Sequence, residues 1–146
     1  MTARITEAWA VRDLPGRSRG GRQLVRTLEI LEYHVGSEDS DVVICVPAGF
    51  ETDFASVPRL AQGLFPALGC WGRPAIIHDY LYQTRGEASW FDDNTGKRTY
   101  LNDGRFTRLQ ADRIFLEAME VVGVPAWRRT IMFRAVRLGG ARGWGS

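Results

Sequence analysis

Residues 74–83 read Pro74-Ala75-Ile76-Ile77-His78-Asp79-Tyr80-Leu81-Tyr82-Gln83. Pro74 opens the run and no helix breaker follows before Gly86, so the pattern predicts a helix over residues 75–83. On that helix His78 and Tyr82 are four apart and share a face with Ala75, which points an imidazole and a phenol together toward the packed side. Asp79 lies about 100° round from His78 and is aimed elsewhere. This segment also divides the chain, because the signals before it are those of strands and the signals after it are mostly those of helices.

Upstream, residues 8–11 and 26–35 are rich in β-branched and aromatic residues, with rough alternation through Leu28 and Ile30. Residues 17–21 between them have turn chemistry, and a third strand is expected over residues 42–46, ended by Pro47-Ala48-Gly49. Ser56 with Pro58 predicts a short helix to about Phe65. Downstream, the glycines and asparagines of residues 94–104 mark an irregular or hairpin excursion. Thr107 with Gln110 three residues on forms a capping box, and its helix should run to Val122 with Gly123 as the residue after the cap. Pro125 starts another helix through Leu138, ended by Gly139 and Gly140. The expectation is an α+β fold: a small N-terminal antiparallel sheet, then a helical layer in which the helices around His78 and Asp112 form a side-by-side pair. With no repeat and no linker, residues 1–146 read as a single domain, β-rich over 1–50 and α-rich over 51–146.

Composition narrows the class. The 146 residues are 45% apolar and 25% charged, which suits one globular domain with a moderate core. No apolar run is long enough to span a bilayer and the N-terminus has no signal-peptide pattern, so the chain reads as soluble and synthesised without a secretory signal. Cys45 and Cys70 are too few for a disulfide framework and read as buried structural thiols. The net charge of +2 is unevenly spread: after Glu120, Arg128, Arg129, Arg134, Arg137 and Arg142 face no acid. Such a split can steer a chain end toward phosphates or an acidic partner, but no nucleic-acid recognition motif accompanies it. Trp90, Phe91 and Trp144 sit in polar contexts and are the expected exposed aromatics, suited to a lipid surface or another subunit.

The chemistry concentrates on two helices. On the helix after Thr107, Leu109, Phe115, Leu116, Met119 and Val122 trace an apolar stripe, with Arg113, Glu117 and Glu120 on the wet face. Asp112 falls on the stripe, and a buried carboxylate needs a partner because an uncompensated charge costs several kcal/mol. His78 is the economical partner, with Arg108 and Arg73 as competitors. An imidazole held by a carboxylate through one nitrogen offers the other as a general base, which is the arrangement of a hydrolytic dyad. A hard cation on Asp79 would supply the electrophilic half. The competing reading is a structural clamp that holds two helices in register. Asp53, followed by Ser56 and Pro58, reads either as a helix cap or as a further group brought to His78.

The patterns HDxxY at His78, Asp79 and Tyr82 and ADxxF at Ala111, Asp112 and Phe115 resemble the two active-site helices of the secreted and viral phospholipase A2 enzymes. The resemblance implies a phospholipase A2-like antiparallel helix pair, with His78 as the base for water and Tyr82 and Asp112 as the groups that hold it. It also implies Asp79 as a calcium ligand with Asp53 as a substitute ligand, and a phospholipid or membrane-surface substrate. Over nearly its full length the chain resembles a second group, uncharacterised proteins of tailed bacteriophages and prophages. The residues that carry this are Gly49-Phe50, Thr52-Asp53-Phe54-Ala55-Ser56-Val57-Pro58, residues 75–82 and Ala111-Asp112-Arg113. That resemblance implies a phage or prophage source, found in the virion or the host cytoplasm, and no activity. Joined to the His78 and Asp112 dyad it gives the expectation of a phage-encoded, metal-assisted hydrolase or, in a different class, a non-enzymatic virion or assembly protein with other virion proteins as partners.

Overall fold

The computed structural model describes residues 5–6, 11–19, 22–40, 42–53, 72–86, 89–92, 97–100 and 106–144. The fold is α+β, and among the described residues small antiparallel sheets in the N-terminal part are followed by three α-helices. Strand β1 (Val11–Arg19) pairs antiparallel with β2 (Arg22–Thr27), which also pairs with the short β5 (Glu51–Thr52) through Val25 opposite Thr52. A second pair joins β3 (Leu31–His34) to β4 (Val43–Val46), with Leu31 opposite Val46 and Tyr33 opposite Ile44. The helices are α1 (Gly72–Thr84), α2 (Arg108–Val121) and α3 (Ala126–Gly139). Between α1 and α2 the expected excursion contains a hairpin of β6 (Ser89–Asp92) and β7 (Lys97–Tyr100). No helix among the described residues is long and apolar enough to cross a membrane.

Two sequence expectations change in the strands. Residues 17–19 continue β1 rather than turning, and residues 26–35 are two strands separated by a bend at 28–29. Because side chains alternate with period two, that break shifts the phase: Leu31 and Tyr33 are buried, while Leu28 and Ile30 are exposed. Residues 8–10 of the expected first strand and the expected helix at 56–65 lie outside the described residues. Cys45 on β4 is half-buried rather than buried, and Cys70 lies outside the described residues.

Thr27 fixes where β5 starts. Its side-chain oxygen donates to the Pro47 carbonyl at 2.9 Å and accepts from the Phe50 backbone N–H at 3.0 Å, while its own backbone exchanges bonds with Gly49 and Phe50. The turn at 47–50 is thereby closed onto β2, which delivers Thr52 and Asp53 to the core, each 5% exposed or less.

The core is shared by β3, β4 and the helices, with Tyr33, Ile44, Ile77, Leu81, Phe115 and Met119 fully buried. Helix α1 is enclosed on all sides. Helix α2 begins as expected, with Thr107 accepting from Gln110 N–H and the Gln110 side chain accepting from Thr107 N–H. It ends on Gly123 at φ +87°, where Gly123 N–H reaches Glu120 and Val124 N–H reaches Met119, the paired bonds of a Schellman end. Its buried stripe is Ala111, Asp112, Ile114, Phe115, Ala118 and Met119, rotated from the expected one, so that Leu109 is exposed. Glu117, expected in water, instead accepts from the Tyr33 hydroxyl at 2.6 Å and the Gly36 N–H at 2.8 Å, tying α2 to the end of β3.

Candidate functional site

His78 and Tyr82 face α2 from successive turns of α1, as the sequence predicts. The His78 ring stacks on Phe115 at 4.5 Å and the Tyr82 hydroxyl accepts from Arg108 Nε at 3.1 Å. Rising numbers on α1 thus meet falling numbers on α2, and the two helices run antiparallel. Between these contacts lies Asp112. Its Oδ1 is 2.7 Å from His78 Nε2 and accepts from the Tyr82 hydroxyl at 2.6 Å, and its Oδ2 accepts from Arg137 Nη1 at 2.7 Å. His78, Tyr82 and Asp112 are fully buried.

Burial alone would raise the carboxyl pKa of Asp112, but His78, Tyr82 and Arg137 together hold it below its ordinary 3.8. Asp112 is therefore an acceptor, and His78 Nε2 is the donor in their shared bond. Burial, together with its own bond to the Asp112 carboxylate, pushes the Tyr82 phenol well above its ordinary 10.0. Tyr82 is a neutral donor that orients Asp112.

Arg137 comes from α3 and was not among the expected partners. The run of arginines after Glu120 offers candidate cations for a buried carboxylate, and the packing of α3 decides which of them reaches Asp112. Arg108, one of the expected competitors, takes a different role: besides Tyr82 it caps the carbonyls of Val136 and Arg137, each at 2.8 Å, at the C-terminal end of α3. Arg73, the other competitor, donates to the Thr6 carbonyl instead. Gly140 lets the end of α3 approach this cluster, because a Cβ there would lie 2.5 Å from the Val136 carbonyl oxygen and 2.8 Å from the Tyr82 hydroxyl. Trp144, expected to be exposed, packs edge-on against Tyr82 at 5.1 Å. The side chains of Trp90 and Phe91 lie outside the described residues.

Asp79 points away from this cluster, as its helical offset predicts. It is 2% exposed, and its Oδ2 accepts from Thr52 Oγ1 and from Gln83 Nε2, the latter at 2.8 Å. Thr52 and Gln83 were not singled out as site residues; the Gln83 signal is its i+4 spacing from Asp79. Asp53 follows directly on Thr52 and is also buried. Calcium does not fit the described residues as they stand: one Asp79 oxygen already holds two donors, and no three His, Cys, Asp or Glu side chains converge among the described residues. His34 lies on β3 and pairs with the Ser40 carbonyl at 3.1 Å through Nδ1.

Residues 28–136 match the model of a family described as a protein of unknown function, DUF1353. No curated protein and no solved structure matches the chain.

Proposed function

The chain belongs to the DUF1353 family, and we propose that it is a phage-encoded ester hydrolase in which His78 is the general base. The observation that carries this reading is the bond from His78 Nε2 to Asp112, a carboxylate kept ionised in the core. In the proposed reaction Nε2 stays bonded to Asp112 and the other ring nitrogen, Nδ1, takes a proton from water. Hydroxide then adds to the ester carbonyl, the carbon–oxygen bond to the leaving alcohol breaks, and the imidazolium returns its proton to that alcohol. Water and ester become acid and alcohol, with no proton left over. Asp112 and Tyr82 are positioning residues, and the resemblance to phospholipase A2 suggests a phospholipid ester as substrate. Asp79, buried and bonded to Thr52 away from Asp112, and the buried Asp53 next to Thr52 are two more carboxylates in the core beyond the one that a helix clamp requires.

The test is release of fatty acid from mixed phospholipid vesicles by wild type and His78→Gln, with and without calcium. Glutamine keeps a donor for Asp112 but cannot act as a base. Release by wild type, its loss in His78→Gln, and a Tm within a few degrees of wild type are expected. No release by wild type under either condition overturns the proposal.

A second reading has its own support. The full burial of His78 and Asp112, and the use of Arg137 to neutralise Asp112, suit a clamp joining three helices in a non-enzymatic virion or assembly protein. This reading expects the chain in purified particles by mass spectrometry and no hydrolysis; its absence from them contradicts it.

A further inference from the structure

Helix α3 presents a second, separate pattern on its outer face. It buries only Met132 and Val136, and on the opposite side Trp127, Ile131 and Leu138 are 61%, 40% and 89% exposed. At about 100° per residue these three fall within an arc of about 40°, and Arg134 lies about 20° beyond Trp127 on the other side. The stripe extends for about 16 Å along the axis. Arg128 stacks over the Trp127 ring at 5.1 Å, and the exposed Arg142 follows in the turn after the helix. No Asp or Glu occurs from Val121 to Ser146.

We infer that this face of α3 docks on an anionic lipid surface. Exposed large apolar groups in a row, flanked by guanidiniums on long stems, are what an interfacial helix needs: the apolar side chains enter the acyl boundary while the arginines meet lipid phosphates. Other occupants fit less well. A second copy of the chain would set Arg134 against arginine with no acid on the helix to offset it. A nucleic acid would use the charges but leave Trp127, Ile131 and Leu138 in water. The inference stands on the helix face alone and extends the hydrolase reading by naming the surface on which its substrate lies. Binding is read without turnover, so either claim can fail separately.

The experiment is co-sedimentation of the full chain with phosphatidylglycerol-containing vesicles and with pure phosphatidylcholine vesicles, at low and high salt. Wild type should bind the anionic vesicles and lose binding as salt rises. Each charge near such a surface is worth about fivefold in partitioning, so Arg134→Glu should weaken binding by about 25-fold. Trp127→Ala and Leu138→Ala should weaken it too, with the Tm of all three variants unchanged. Absence of binding to anionic vesicles overturns the inference, as does binding that none of the three substitutions alters. Binding to polyglutamate or duplex DNA without binding to vesicles also overturns it, and assigns the face to a protein or nucleic-acid partner instead.

Discussion

Helices α1 and α3 are thirteen and fourteen residues long, and they solve opposite problems. Ten residues of α1 are buried, among them His78, Asp79 and Tyr82, whereas α3 buries two and leaves a tryptophan, an isoleucine and a leucine in water. A helix enclosed on every side cannot hide its polar groups on a wet face, so each of them must find partners inside. Its Asp79 bonds toward β5, and its His78 and Tyr82 bond toward α2. Helix α3 has a free face and spends only one side chain, Arg137, on the interior cluster. Polar chemistry in this fold is concentrated where the backbone is most confined, and the exposed apolar surface is concentrated where it is least confined.

The sharpest way to break this contrast is to remove the carboxylate on which the helices converge. Asp112→Ala leaves an imidazole, a phenol and a guanidinium without their shared acceptor, and should lower unfolding stability by about 3 to 5 kcal/mol in urea titration. Asp112→Asn separates charge from shape. The folded pKa of Asp112 lies below its unfolded value of 3.8, so the stability linked to its ionisation is complete above that pH and is lost as the pH falls through the folded value. Wild type should therefore lose stability on acidification below about pH 4 more steeply than Asp112→Asn; equal slopes would show that the carboxylate is not held ionised.

Next in size are two leucines that differ only in their helix. Leu81→Ala on α1 creates a cavity in a fully buried position and should cost about 2 to 5 kcal/mol. Thr107→Ala removes the side-chain cap of α2 and should cost about 1 kcal/mol. Leu138→Ala on α3, at 89% exposure, should change stability by less than about 0.5 kcal/mol while weakening vesicle binding. Equal costs at Leu81 and Leu138 would erase the distinction between the two helices.

Local signals in the sequence were sufficient where they were self-contained. The capping box at Thr107, the stop at Gly123 and the proline ahead of α3 depend on neighbours within a few residues, and those ends fall where the spacing places them, whereas α1 starts at Gly72, two residues before the proline expected to open it. The meeting of His78, Tyr82 and Asp112 was legible because a carboxylate on an apolar stripe demands a partner and the chain has two histidines. Arg137 was not legible as the third partner, since its choice depends on where α3 crosses α2. The phase of β3 was hidden for a related reason: a bend at 28–29 reverses which of the alternating residues face inward, and no proline or glycine marks it. Glu117 was assigned to water because one helix alone does not disclose that Tyr33 and Gly36 come to meet it.

The account rests on which ring nitrogen of His78 carries the proton, and nitrogen-15 NMR of histidine-labelled protein, recorded where both rings are neutral, reads it directly. The chain supplies its own contrast, because His34 faces the Ser40 carbonyl, an acceptor, through Nδ1. The account predicts opposite tautomers: His34 protonated on Nδ1, and His78 protonated on Nε2 with the lone pair on Nδ1. A His78 signal protonated on Nδ1 would mean that Asp112 does not hold the ring as a base, and would contradict the proposed chemistry at its first step.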